Sequence, residues 1–96
     1  MIIAVDFDGT IQKNDKTPNI QLIEYLRRSQ RHGASIILWT SREGERLGDA
    51  IRFCNKHGLW FNAINRNMTE SIKNLGYDSR KILADIYIDD KAVKVP

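Results

Sequence analysis

Two aspartates that lie one residue apart follow directly on an apolar run near the start of the chain. Asp6 and Asp8 flank Phe7, and Gly9 and Thr10 come next. Two carboxylates this close repel each other unless a cation or a shared proton offsets their charge. Asp8 before a glycine is also typical of an ordinary turn, but the apolar run leads straight into Asp6. The pair therefore predicts a functional acidic site.

A second acidic pair, Asp89 and Asp90, follows the apolar residues 86–88 near the other end of the chain. The sequence has 15 basic and 12 acidic residues and a net charge of +3. Without Asp6, Asp8 and this pair, 8 acidic residues would face the same 15 basic ones. If the fold joins the pairs, a concentrated negative site lies in a basic body. Such a site needs a cation, and its surroundings favour an anionic ligand.

Alternating apolar runs and helical patterns must position these acids. The patterns predict strands at 2–6, 35–39, 59–64 and 86–88, and helices at 19–32, 43–57 and 69–75, with Asn19 and Thr69 as N-caps. This alternation favours a single α/β domain over 1–96, a Rossmann-like three-layer sandwich with a parallel sheet of order 4-1-2-3. Its active site would lie at the carboxyl ends of the strands, where both acidic pairs and Thr40 fall.

Three segments resemble sequence motifs of the haloacid-dehalogenase-like (HAD) superfamily of phosphohydrolases. Asp6–Thr10 resembles its first motif, DxDGT after a hydrophobic strand. Residues 36–42, an apolar strand that ends in Thr40, resemble the second, and residues 86–90 resemble the fourth. A lysine completes the set, and spacing favours Lys81 over Lys73. The match covers essentially the whole chain.

The resemblance implies a phosphatase that hydrolyses phosphate monoesters with Mg²⁺ as cofactor. Asp6 would be the nucleophile that forms an aspartyl-phosphate, and Asp8 would protonate the leaving oxygen and then activate water. Thr40 would hydrogen-bond a phosphoryl oxygen, and Lys81 would neutralise the phosphate. The residues implied in metal binding are Asp6, Asp8 through its backbone carbonyl, Asp89 and Asp90. The residues placed beside the substrate are Gly9, Thr10, Ser41 and Arg42, although Arg42 could equally be an exposed residue at a helix start.

The spacing between these motifs leaves no room for an independently folded cap domain, so the resemblance points to a capless member. Such members often act on macromolecular phosphate esters or borrow a lid from a second protomer. A small phosphorylated substrate, a nucleic-acid partner and a homodimer all stay open. Residues 11–18 could form a short flap. The alternative function is a HAD-like module that binds metal or phosphate for regulation and turns over little.

Composition excludes other classes of protein. Hydrophobic residues make up 42% and charged residues 28%, which is ordinary for a globular domain and unlike a disordered chain. No apolar run approaches the ~20 residues of a membrane span, and none resembles a signal peptide. The single cysteine, Cys54, favours a reducing cytoplasm and a place in the core. Trp39 and Trp60 are predicted to pack as strand residues.

Overall fold

Four parallel strands alternate with three helices along residues 1–91, the part of the chain that this computed structural model describes. The elements are β1 (Ile2–Val5), α1 (Ile20–Arg31), β2 (Ser35–Leu38), α2 (Gly44–Lys56), β3 (Ala63–Ile64), α3 (Thr69–Leu75) and β4 (Ile86–Ile88). The strand order β3-β2-β1-β4 is the predicted order 4-1-2-3 read from the other side. The α/β class and the sheet are therefore confirmed.

The direction of each crossover decides which face of the sheet a helix covers. The chain moves from β1 to β2 to β3 in one direction, so right-handed crossovers put α1 and α2 on the same face. The main core on that face combines strand and helix residues: Ile3, Val5, Phe7, Ile11, Ile23, Leu26, Ile36, Leu38, Ala50, Cys54 and Leu59. The return to β4 crosses the opposite face.

That opposite face is only thinly covered. Its cluster consists of Ala4, Ile37, Ala63 and Ile82, with Met68 packed against it. Helix α3 buries none of its own residues. Polar and aromatic side chains on this face therefore stay partly exposed to solvent.

The ends of the helices follow local capping chemistry. The Asn19 side chain accepts a hydrogen bond from the Leu22 amide, which confirms it as the N-cap of α1. Gly33 follows the end of α1 with a φ of 95°, the left-handed conformation that favours glycine there. The prediction that Thr69 caps α3 is wrong by one residue, because Met68 occupies the N-cap position without a side-chain bond.

Strand β3 is much shorter than the predicted run over 59–64. The Asn62 amide donates to the Ile36 carbonyl, but the Ile36 amide donates to the Asn62 side chain in place of a backbone carbonyl. Regular pairing therefore begins only at Ala63. Leu59 leaves the ladder and packs into the main core. Within residues 1–91, no helix combines the length and the apolar character that a bilayer span requires.

Candidate functional site

The carboxyl ends of β1, β2 and β4 meet at one edge of the sheet. Val5 pairs with both Leu38 and Ile88, so the next residue of each strand lies at the same level. The Asp6 amide still donates to the Ile88 carbonyl at 3.0 Å, which extends the ladder into the site. Strands β2 and β3 are added on one side of β1, and β4 is then added on its other side, so the order of the strands reverses between β1 and β4. Asp6 and Asp89 therefore lie at the topological switch point, where α/β proteins bind ligands.

Three carboxylates converge at this edge. Asp6, Asp89 and Asp90 each offer an oxygen that lies within 4.8 Å of the other two. Partial burial raises the pKa of Asp6 above its ordinary value, and the negative charges of Asp89 and Asp90 raise it further. Carboxylate oxygens are the ligands that Mg²⁺ prefers. The set therefore fits a hard divalent cation, whose charge would offset this repulsion.

The loop after β1 joins two of these carboxylates through Thr10. The Thr10 hydroxyl donates to Asp6 Oδ2 at 3.3 Å and accepts from the Asp90 amide at 3.1 Å. Gly9 has a φ of 77°, and a Cβ at this position would clash with the Asp90 carboxylate. Gly9 and Thr10 thus position the acids. Their implied places beside a substrate stay predictions.

Asp8 is held by an ion pair that the sequence did not reveal. The Arg42 guanidinium binds both carboxylate oxygens, with Nη2 to Oδ1 at 2.7 Å and Nε to Oδ2 at 3.0 Å. These bonds and the positive charge of Arg42 lower the pKa of Asp8. Arg42 also lies over the Phe7 ring, and its side chain is 12% exposed. The prediction that Arg42 is an exposed residue at a helix start is therefore wrong, whereas its place beside a substrate stays a prediction.

Thr40 is nearly buried at the end of β2. Its amide donates to the Asn65 side chain at 2.8 Å, and its hydroxyl accepts from the Arg42 amide at 3.2 Å. Asn65 makes this contact from a φ of 54°, a conformation that asparagine tolerates better than most residues. Thr40 is therefore fixed, in a position compatible with its predicted bond to a phosphoryl oxygen.

An open cavity of about 410 Å³ brings most of the predicted residues together. Its lining consists of Asp6, Asp8, Trp39, Thr40, Ser41, Asp89, Asp90 and Lys91. Six of these were predicted from the sequence, and two, Trp39 and Lys91, were not. Lys91 directly follows the second acidic pair, and this position in the sequence could have indicated that it lies at the site.

Comparison with solved structures identifies a relative. A conserved protein coded by a locus of Bacteroides thetaiotaomicron superposes with a TM-score of 0.82 and 40% sequence identity. The match covers 100% of this chain and 81% of that one. The chain belongs to the family of that Bacteroides protein. No protein-family model and no curated protein matches the chain. The relationship establishes the fold and the family, and it carries no information about activity.

Lys81 does not line the cavity. It is exposed on the segment 78–83, which the buried Asn67 organises by bonding to Asp78 Oδ1 at 2.8 Å and to the Leu83 amide at 2.6 Å. The Lys81 carbonyl accepts from the same asparagine. The role of Lys81 beside a phosphate stays a prediction, and Lys91 is the lysine of the described residues 1–91 that lines the cavity.

The two tryptophans are not core residues. Trp39 is 43% exposed and Trp60 is 57% exposed, so the prediction that both pack is wrong. Strand context suggested burial, but one strand ends before Trp39 and the other begins after Trp60. Asp85, in contrast, has a structural role. Its carboxylate accepts from the Ile2 amide at the opposite edge of the sheet.

Proposed function

We propose that this chain is a Mg²⁺-dependent phosphate-monoester hydrolase of the HAD type, which acts through an aspartyl-phosphate on Asp6. The observation that carries the proposal is the convergence of Asp6, Asp89 and Asp90 in one cavity with Asp8 and Thr40. Residues from both ends of the chain meet there, in the order that the HAD resemblance implies. A purely structural role does not explain three adjacent carboxylates, two of which raise the pKa of the third, Asp6.

The first step would be in-line attack by an Asp6 carboxylate oxygen on phosphorus. The bond from phosphorus to the ester oxygen breaks, and the alcohol leaves. Thr40 would donate a hydrogen bond to a phosphoryl oxygen. Mg²⁺, held by Asp6, Asp89, Asp90 and the backbone carbonyl of Asp8, would offset the repulsion between the carboxylates and the phosphate. Thr10 keeps Asp6 oriented, because its hydroxyl is bonded to that carboxylate.

The second step would be hydrolysis of the aspartyl-phosphate. The Asp8 carboxylate would take a proton from water, which attacks phosphorus and frees Asp6. The ion pair with Arg42 keeps Asp8 ionised, which suits this role as a base. Donating a proton to the leaving group in the first step requires Asp8 to be protonated. Arg42 would then have to loosen its grip when the substrate binds.

The direct test is hydrolysis of a panel of phosphate monoesters with and without Mg²⁺. We expect Asp6→Asn to lower kcat by several orders of magnitude, because the attacking oxygen anion is lost while the shape is kept. Asp49→Asn is the matched control, since Asp49 lies on the exposed surface of α2. Equal turnover in wild type and Asp6→Asn would contradict the proposal.

A second candidate is a module that binds metal and phosphate without turnover. The observation that favours it is the Asp8–Arg42 ion pair, which occupies both oxygens of the predicted acid and base. Asp8→Asn separates the two candidates. In an enzyme, it should trap phosphate on Asp6 from a substrate with a good leaving group, detectable by mass spectrometry. A module should bind Mg²⁺ but neither form the adduct nor bind BeF₃⁻, the mimic of an aspartyl-phosphate.

The range of substrates follows from the open cavity. It could admit a small phosphorylated molecule or the phosphate of a macromolecule, including a nucleic-acid end. A homodimer could supply the lid that the chain lacks between the motifs. The buried, free thiol of Cys54 supports a cytoplasmic location.

A further inference from the structure

The side chain of Trp39 forms part of the cavity wall beside the acidic cluster. Its neighbours Leu38 and Thr40 are buried, yet Trp39 itself is 43% exposed. A large aromatic side chain gains from burial, so exposure at the rim of a ligand cavity is informative. The ring lines the same cavity as Asp6.

Backbone pairing fixes the level of Trp39 relative to the acids. Its amide donates to the Val5 carbonyl at 2.9 Å, one residue before Asp6. Side chains alternate along strands, so Trp39 continues the face of Ile37, and Asp6 continues the face of Ala4. Both residues therefore stand on the thinly covered face of the sheet. The indole and the Asp6 carboxylate are therefore not separated by the sheet, and both line the same cavity.

A second aromatic ring holds the indole in place. Tyr87 packs against Trp39 with the ring centroids 6.2 Å apart and the planes at 62°. Ala4 lies on the strand between them and pairs with both Ile37 and Tyr87, and its small side chain leaves room for the two rings to meet. The Tyr87 hydroxyl donates to the Ile82 carbonyl, which fixes that ring in turn.

We propose that Trp39 is a stacking surface for the planar aromatic ring of the substrate, a phosphate monoester whose phosphate lies at Asp6. This inference rests on the proposed function for the place of the phosphate. Among residues 1–91, Trp39 is the one aromatic residue that lines the cavity, which suits stacking against one planar group; a cage for a quaternary ammonium needs several rings. The ring would belong either to an aryl phosphate or to the base of a nucleotide. The cavity of about 410 Å³ is within the range that holds such ligands.

The kinetic test compares adenosine 5′-monophosphate with ribose 5-phosphate, which share the sugar phosphate and differ in the base. Trp39→Ala should lower kcat/KM for the nucleotide by about 5- to 150-fold more than for the sugar phosphate, the usual range for loss of one stacked base. Trp39→Phe should recover part of the loss. Trp60→Ala is the matched control, because Trp60 is more exposed and lines a different cavity with Arg27 and Gln30. It should leave the ratio unchanged.

Phenyl phosphate then distinguishes the two sources of the ring. If Trp39→Ala also lowers kcat/KM for phenyl phosphate selectively, the stacked ring of the substrate can be attached directly to the leaving oxygen. If only the nucleotide is affected, a sugar must separate the stacked ring from the phosphate. Equal losses for nucleotide and sugar phosphate would overturn the proposal. So would a preference for phosphocholine that disappears in Trp39→Ala, or a dimer that dissociates in Trp39→Ala without any effect of the base.

A binding experiment keeps this inference separable from the proposed function. In the Asp6→Asn, Trp60→Phe variant, Trp39 is the only tryptophan and substrate is not consumed. Adenosine 5′-monophosphate should quench its fluorescence, whereas ribose 5-phosphate should not. Quenching by the nucleotide from a protein whose wild type hydrolyses nothing would defeat the proposed function and retain the stacking surface. Hydrolysis by wild type without selective quenching in the variant would retain the proposed function and defeat the stacking surface.

Discussion

Arg42 lowers the pKa of Asp8 and stabilises the fold at the same time. Its guanidinium binds the carboxylate through two atoms and lies 4.8 Å from the centre of the Phe7 ring. The lowered pKa of Asp8 means that the folded state favours the ionised carboxylate. The ion pair therefore contributes stability above the ordinary pKa of an aspartate, and this contribution is lost as the pH falls through the lowered pKa.

We expect Arg42→Ala to destabilise the protein near neutral pH by about 1 kcal/mol, since Asp8 is partly exposed and water screens the pair. The deficit should shrink in acid, where wild type also loses the interaction. Urea unfolding of both proteins from pH 7 down to pH 3 measures this. Arg52→Ala is the control, because Arg52 forms a fully exposed pair with Asp49. A deficit that stays constant with pH would mean that only packing on Phe7 was lost.

Sequence predicted the acidic residues of the site better than their partners. Asp6 and Asp89 follow apolar strands, and parallel strands must bring their carboxyl ends together. The Arg42 ion pair joins residues 34 positions apart through the rotamer of a long side chain, which no local pattern encodes. Lys81 was preferred on its spacing alone. Spacing fixes a position along the chain, whereas the path of the loop decides whether a side chain reaches the cavity.

At the level of elements, one buried asparagine replaces regular structure between α3 and β4. Asn67 is 1% exposed, and its side chain bonds to Asp78, to Ser79 and to the Leu83 amide. The segment 78–83 passes over the thin face of the sheet and carries Ile82, which packs with Ala4 and Ile37 there.

We expect Asn67→Ala to lower the free energy of unfolding by about 2–3 kcal/mol, because it removes the side-chain hydrogen bonds to Asp78, Ser79 and the Leu83 amide, each worth about 1 kcal/mol. Amide hydrogen exchange should accelerate first in residues 78–83, before the strands β1 and β2 are affected. Asn74→Ala is the control, since Asn74 is exposed on α3. Uniform acceleration across the whole chain would show that the asparagine does not act on this segment specifically.

The order of the elements was predictable because few arrangements satisfy a right-handed parallel sheet. The residues at which the strands begin and end were less predictable. The apolar pattern of residues 59–64 suggested a full strand, but the Asn62 side chain takes the place of a backbone acceptor and shortens it. Trp39 was misread for a related reason. An apolar residue at the end of a strand looks like core until the coverage of its face is known, and α3 leaves this face partly open.

At the scale of the whole molecule, the charge distribution is uneven. The protein carries a net charge of +3, yet three carboxylates meet at one edge of its sheet. The net positive charge disfavours binding of a divalent cation elsewhere on the surface. Any stabilisation by millimolar Mg²⁺ should therefore come from Asp6, Asp89 and Asp90. It should act by mass action, because the unfolded chain does not hold these residues together.

We expect Mg²⁺ at ten times its Kd to add about 1.4 kcal/mol to the free energy of unfolding, and to raise Tm by about 5–10 °C. Asp89→Asn should abolish most of this shift. Asp85→Asn, at the opposite edge of the sheet, should retain it. The shift should also diminish as the pH falls, because protons compete for Asp6, whose pKa is raised. Differential scanning fluorimetry at constant ionic strength measures the Tm shift in wild type and in both variants, and its dependence on pH. An unchanged Tm in wild type would contradict a cation site at this cluster, and an equal shift in Asp89→Asn would place the cation elsewhere.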